Sequence, residues 1–404
     1  MLSTLFEIQV RLARNVSLTF KRFLYDKIDW DVRLLSIIGA RGVGKTTMLL
    51  QYYAEHYRQS STCLYLSADN IIVQSTGLYE IAGQFFRSGG KRLMIDEIHR
   101  YPNWSNELKS IYDSFPDARL VVSGSSTLDL MKGGADLSRR LVAYRLPGMS
   151  FREYLQMEEG VELLPQSLDG LLAGHPGVAS EVVTSLRTPV IQKFHEYLRH
   201  GVYPFYLEGL DLYLTRLANV VEKVLSADIP SVLGVRPESV PILRRLIFLV
   251  ASSQPFAPNI ERMASTLGIS REFVYKYLET LQTAGILFHL PASGRGHRPV
   301  RKPAKVYIEN SNLLAAIMGG GGHAHEGVVR ETFFMHQVSQ VSPLSYDPGE
   351  GVDFLTPDGR GFEVGGRSKS SAQLRGDSNK WLAVDDTEIG SGKRVPLWLF
   401  GLLY

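Results

Sequence analysis

Residues 39–47 read "GARGVGKTT", directly after the apolar run Leu34-Leu35-Ser36-Ile37-Ile38 and directly before "MLLQYYAEHY". The stretch therefore sits where a strand becomes a helix. Gly39, Gly44, Lys45 and Thr46 meet the spacing G-x-x-x-x-G-K-[ST], with Gly42 and Thr47 filling out the loop. Glycines let such a loop turn its backbone N–H groups inward onto phosphate oxygens, and the helix N-terminus adds positive partial charge. Lys45 is placed to reach the β and γ phosphates of ATP, and the Thr46 hydroxyl to ligate magnesium. Together they predict an α/β chain that holds a nucleoside triphosphate.

Hydrolysis needs carboxylates at the end of a buried strand, and "RLMIDEIHR" (92–100) supplies them. Leu93, Met94 and Ile95 form the apolar run. Asp96 is expected to hold Mg2+ through water, and Glu97 to act as general base on the attacking water. The next apolar strand, in "ARLVVSGSS" (118–126), ends in hydroxyls, so Ser123 or Ser125 is placed to sense the γ phosphate. Further on, Arg139 and Arg140 form an adjacent pair. Read from chemistry alone, they are either a solvated face or a source of an arginine offered to a neighbouring subunit's γ phosphate.

The 404 residues predict two or three domains. A hydrophobic fraction of 44% and a charged fraction of 21% are ordinary for a soluble chain. A formal net charge of +3 argues for a nucleic-acid partner only if the cations cluster. Cys63 is the only cysteine, so an internal disulfide is impossible, and it is expected to be a buried small hydrophobe. No apolar run approaches a membrane span and the first residues carry polar breaks; we expect a cytoplasmic protein with no membrane partner.

The cations do cluster. In "NIERMASTLGISREFVYKYLETLQTAGILFHL" (259–290), Ile260, Met263, Ala264 and Leu267 recur at helical spacing. Gly268 then breaks the helix, and Ser270 caps a second one carrying Val274, Leu278 and Leu281. That is helix-turn-helix spacing, followed by a strand suited to a wing. Between Thr280 and Ile308 there is no acidic residue, whereas Arg295, His297, Arg298, Arg301, Lys302 and Lys305 fall there. With Arg271, Tyr275 and Lys276 on the second helix, they are the expected DNA contacts, directed at phosphates and so at structure more than sequence.

"IIGARGVGKTTMLL", "LMIDEIHRYPNW", "VVSGSS", "LSRRLVAYRLPGMSFREYL" and "YLRHGVYPFYLE" resemble, in that order, the prokaryotic AAA-type ATPases with a C-terminal winged-helix and restriction-endonuclease-like region. The resemblance implies an AAA-type ATPase core over 1–155, a helical lid over 156–235, a winged helix over 236–318 and a degenerate nuclease-like α/β domain over 319–404. It also implies a ring, commonly a hexamer, in which each ATP site is completed by its neighbour. Arg140 falls where the family has a Gly-Arg pair, although Arg139 stands in place of the glycine. Likewise "GVYPF" (201–205) matches a lid element in which Val202 replaces a second glycine.

In the nuclease-like fold, Glu331, Asp353 and Glu363 are the acids that converge on magnesium, and a lysine two residues past the last acid assists. Here that position is Gly365, so cleavage is not expected, although Lys369 on the following helix could lean in. Three functions remain in play: a DNA-remodelling motor acting on branched recombination or repair intermediates, an ATP-controlled signalling or defence switch with a protein partner, and an ATP-gated nuclease.

Overall fold

The computed structural model describes residues 1–124, 137, 139–254, 258–293, 305–319, 325–369 and 379–404. The chain divides into two units, Met1–Gly148 and Met149–Tyr404.

In the first unit, β1 (Leu34–Ile38) is buried at every position, as a strand covered on both faces must be. It pairs in parallel with β4 (Arg119–Gly124) on one side and β5 (Val142–Arg145) on the other. β2 (Cys63–Ser67) and β3 (Arg92–Asp96) extend the sheet, giving the order β2-β3-β4-β1-β5 with every pairing parallel. Because β4 lies between β1 and β3, its last residues fall between the phosphate loop and Asp96. Helices Lys45–His56, Leu78–Arg87 and Trp104–Ser114 connect the strands. The core joins Leu64, Leu66, Leu93, Ile95, Leu120 and Val122 to Ile81, Phe85, Leu108 and Ile111. Cys63 is buried in β2, where loss of water pushes its thiol up to about 12 and keeps it protonated.

The second unit starts with helix Phe151–Glu159, closed by a capping box between Ser150 and Glu153. Helices Ile260–Leu267 and Arg271–Thr283 meet at Gly268, whose φ of 69° ends the first, and the Ser270 side chain caps the second. β6 (Leu287–Leu290) then pairs antiparallel with β7 (Lys305–Ile308). A four-stranded sheet of order β11-β10-β9-β8 follows. In it β8 (Phe354–Leu355) runs antiparallel to β9 (Gly361–Gly365), and β10 (Lys380–Val384) and β11 (Arg394–Pro396) continue in parallel.

The segments expected to be lid, helix-turn-helix and final α/β domain share this one unit. Two polar anchors explain why. Ser150 Oγ and Arg152 Nε donate to the Tyr404 carbonyl at 2.7 and 2.9 Å, binding the first helix to the last residues. Asn312, fully buried, donates to the carbonyls of Tyr197 and Leu198 at 3.1 and 2.9 Å. Its Oδ1 accepts from the Val202 N–H at 2.9 Å and the Tyr213 hydroxyl at 2.6 Å, so all four bonds of the amide are used. Val202, where a second glycine was expected, is 1% exposed and joins this core.

Candidate active site: a carboxylate at the meeting of three strands

Gly42 and Gly44 take φ of 88° and 99°, values that a side chain disfavours and that let the loop fold back before the helix. Lys45 follows at once, buried, with Nζ donating to the carbonyls of Gly39 at 2.8 Å and Ala40 at 3.0 Å. Its cation is thereby held inside the loop's curve. Arg22, also buried, braces the loop from outside by donating to the Val43 and Pro147 carbonyls. Its place among Phe20, Phe23 and Leu24, well before the loop, gave no signal of this role.

Asp96 is the centre of the site. Oδ2 accepts from the Thr46 hydroxyl at 2.6 Å and from the Tyr65 hydroxyl at 2.9 Å, while Oδ1 accepts from the Ser123 hydroxyl. The helix after the loop, β2 and β4 thus each send one hydroxyl to the acid at the end of β3. Burial, then the charge of Asp96, raises the Tyr65 phenol far above its ordinary range, so it stays a donor. Tyr65 reads from sequence only as part of an apolar strand, and its role emerges once β2 is placed beside β3.

Glu97 takes φ of 52°, left-handed for a residue with a side chain. Its N–H donates to Ser123 Oγ at 3.1 Å and Asp96 Oδ1 at 3.2 Å, which fixes that conformation. Its Oε2 lies 3.4 Å from His99 Nε2 and 3.5 Å from Arg100 Nε. Of the two serines expected to sense the γ phosphate, Ser123 lies against Asp96 and the Glu97 N–H; Ser125 lies outside the described residues. Arg139 is exposed, and Arg140 pairs with Asp113 at 3.3 Å and lies over the Tyr112 ring at 5.5 Å. The phosphate loop, Asp96, Glu97 and Ser123 come together; neither arginine is shown at them.

Residues 31–155 match the family model of an AAA domain. The phosphate loop, Asp96 and Glu97 all fall within that stretch, and the domain it spans is an ATPase. Residues 191–323 match a second model, a domain of unknown function, DUF8612. An uncharacterized protein of Methanocaldococcus jannaschii is 27% identical over 93% of this chain and 86% of its own. Another, from Haemophilus influenzae, is 23% identical over 72% and 71%. Among solved structures, AMPPCP-bound DnaA from Aquifex aeolicus aligns over 64% of this chain and 84% of its own, at 15% identity and a TM-score of 0.28. That likeness is too slight to carry an argument.

The second unit holds the other expected sites. Arg271 is exposed but pairs with Glu261 at 3.0 Å; Lys276 is exposed and Tyr275 half-buried. Arg295, His297, Arg298, Arg301 and Lys302 lie outside the described residues. Lys305, expected as a DNA contact on the wing, is instead buried in β7, because its ammonium is drawn onto acids later in the same unit. It lies 3.4 Å from Asp353 and 3.8 Å from Glu331.

The lysine expected to be missing beyond Glu363 has a substitute in Lys369, whose Nζ lies 2.9 Å from Glu363 Oε1. Gly365 makes the detour possible, since a Cβ there would lie 2.2 Å from Lys369 Cδ. Among the described residues no helix is long and apolar enough to cross a membrane.

Proposed function

We propose that this ATPase works as a ring of identical subunits, a hexamer by resemblance, that binds DNA and uses ATP to remodel it. Branched recombination and repair intermediates, moved by branch migration, are the proposed substrates. The supporting observation is one chain that joins a hydrolytic centre to a helix, a glycine turn, a capped helix and an antiparallel strand pair, the order of a winged helix.

In this reading Lys45 and the loop amides of Gly39 to Thr47 hold the phosphates. Thr46 and Asp96, hydroxyl and carboxylate already in contact, fit Mg2+ as ligands, directly or through water. The ion would neutralise charge on the β and γ oxygens. Glu97 accepts the proton of the attacking water, and Ser123 fixes both acids through Asp96 Oδ1 and the Glu97 N–H. Arg139 or Arg140 reaches the neighbouring subunit's phosphates.

The switch reading has its own support. Arg271 is already paired, Phe273 on the same helix is exposed, and an apolar groove of about 500 Å³ runs past Val221, Phe248 and Ile317. These features suit a protein partner.

The deciding experiment is the ATPase rate without DNA and with linear duplex, single strand or a four-way junction, at two salt concentrations, beside Lys45→Ala. Stimulation by the junction that is lost at high salt and in the variant supports the motor. A rate indifferent to every DNA, with assembly that responds to ATP, sinks it in favour of the switch.

A further inference from the structure

A nuclease-like centre implies magnesium held by Glu331, Asp353 and Glu363. The residues around these acids do not fit that ion. A divalent cation needs several oxygens within about 2.0–2.6 Å of one point. Among the described residues, the one group of three acids or histidines whose ligand atoms all lie within 4.8 Å of one another is His195, Asp385 and Asp386. With the Lys305 ammonium between two of them, the three expected acids are not such a group, and Asp385 of the other one is already bonded to Arg330 Nε at 2.7 Å.

What lies among the expected acids is an ammonium. Lys305 Nζ is 3.4 Å from Asp353 Oδ1, 3.8 Å from Glu331 Oε2 and 4.4 Å from the centre of the Tyr346 ring. Its side chain is 11% exposed, and those of Glu331 and Asp353 are 19% and 22% exposed. A lysine so far withdrawn from water is stable only where opposite charge surrounds it.

Each acid also accepts one further hydrogen bond. Asp353 Oδ2 accepts from the Val364 N–H at 3.0 Å, and Glu331 Oε2 accepts from the Tyr307 hydroxyl at 2.8 Å. Lys305 and Tyr307 stand two apart on β7 and so on one face of it. One strand therefore delivers both the cation and the donor, while Lys369 lies 2.9 Å from Glu363.

We infer that Lys305 is the resident cation of this centre, occupying the place between Glu331 and Asp353 that a divalent ion would take. The α/β region is then held together by an internal charge cluster and neither binds Mg2+ nor cleaves a phosphodiester.

The test uses the full chain carrying Asp96→Asn, which removes a ligand from the ATP site, with Mn2+ binding followed by EPR and by the shift in melting temperature. With Lys305 in place, adding Asp353→Asn should leave Mn2+ binding unchanged. Lys305→Ala should gain about one Mn2+ per chain, and its melting temperature should rise with Mn2+. Adding Asp353→Asn should abolish both effects. Lys305→Met, which keeps the apolar stem, repeats the gain should the alanine variant not fold. Mn2+ bound in the presence of Lys305 and lost with Asp353→Asn overturns the inference. So does plasmid nicking with the same dependence, or a folded Lys305 variant that gains no ion.

Discussion

Asp96 takes hydroxyls from Thr46, Tyr65 and Ser123, so its orientation is set by three elements at once. Glu97 is different, since its carboxylate lies against the His99 and Arg100 side chains of the turn that follows it. Glu97→Gln should therefore leave ATP binding near wild type while kcat falls about 10²–10⁴-fold, measured as single-turnover hydrolysis beside nucleotide affinity. A loss of affinity equal to the loss of rate would give Glu97 a role in binding instead.

Gly365 offers a second test at this scale. In Gly365→Ala the new methyl displaces Lys369, so the variant should lose the Lys369–Glu363 pair, about 0.5–1 kcal/mol for a partly exposed contact. Urea unfolding of Gly365→Ala, Lys369→Ala and the double variant should then give non-additive costs.

At the scale of elements, the phosphate loop and the strand ending at Asp96 were legible because their signals are local: an apolar run, a glycine spacing, an acid. The Ser270 cap and the Gly268 turn were legible for the same reason. Tyr65 and Arg22 were not, since their roles depend on which strand neighbours which, and periodicity carries no such information. Lys305 was misplaced for another reason. A stretch free of acids reads as exposed and basic, whereas here the acids that draw the lysine inward come from Glu331 and Asp353, after it in the chain.

Asn312 belongs to this scale too. It begins as an unremarked residue in a short helix and becomes the joint between the lid segment and the helix that follows β7. Asn312→Ala leaves two carbonyls, an N–H and a tyrosine hydroxyl without their partner in the core. We expect it to cost about 2–4 kcal/mol, read from chemical denaturation monitored by the second unit's aromatics.

For the whole molecule, the two units have different chain logic. The nucleotide sheet is assembled wholly within Met1–Gly148, and its strand pairings use that segment alone. The second unit is closed by bonds from Ser150 and Arg152 to Tyr404, spanning 254 and 252 positions of sequence. During synthesis the ATP-binding core therefore has all its strands long before its companion can finish folding. At about 5–20 residues per second that interval is on the order of tens of seconds. Through it the helix that carries Ser150 and Arg152 waits for the residue they bind. A ribosome paused late in the message would prolong that interval.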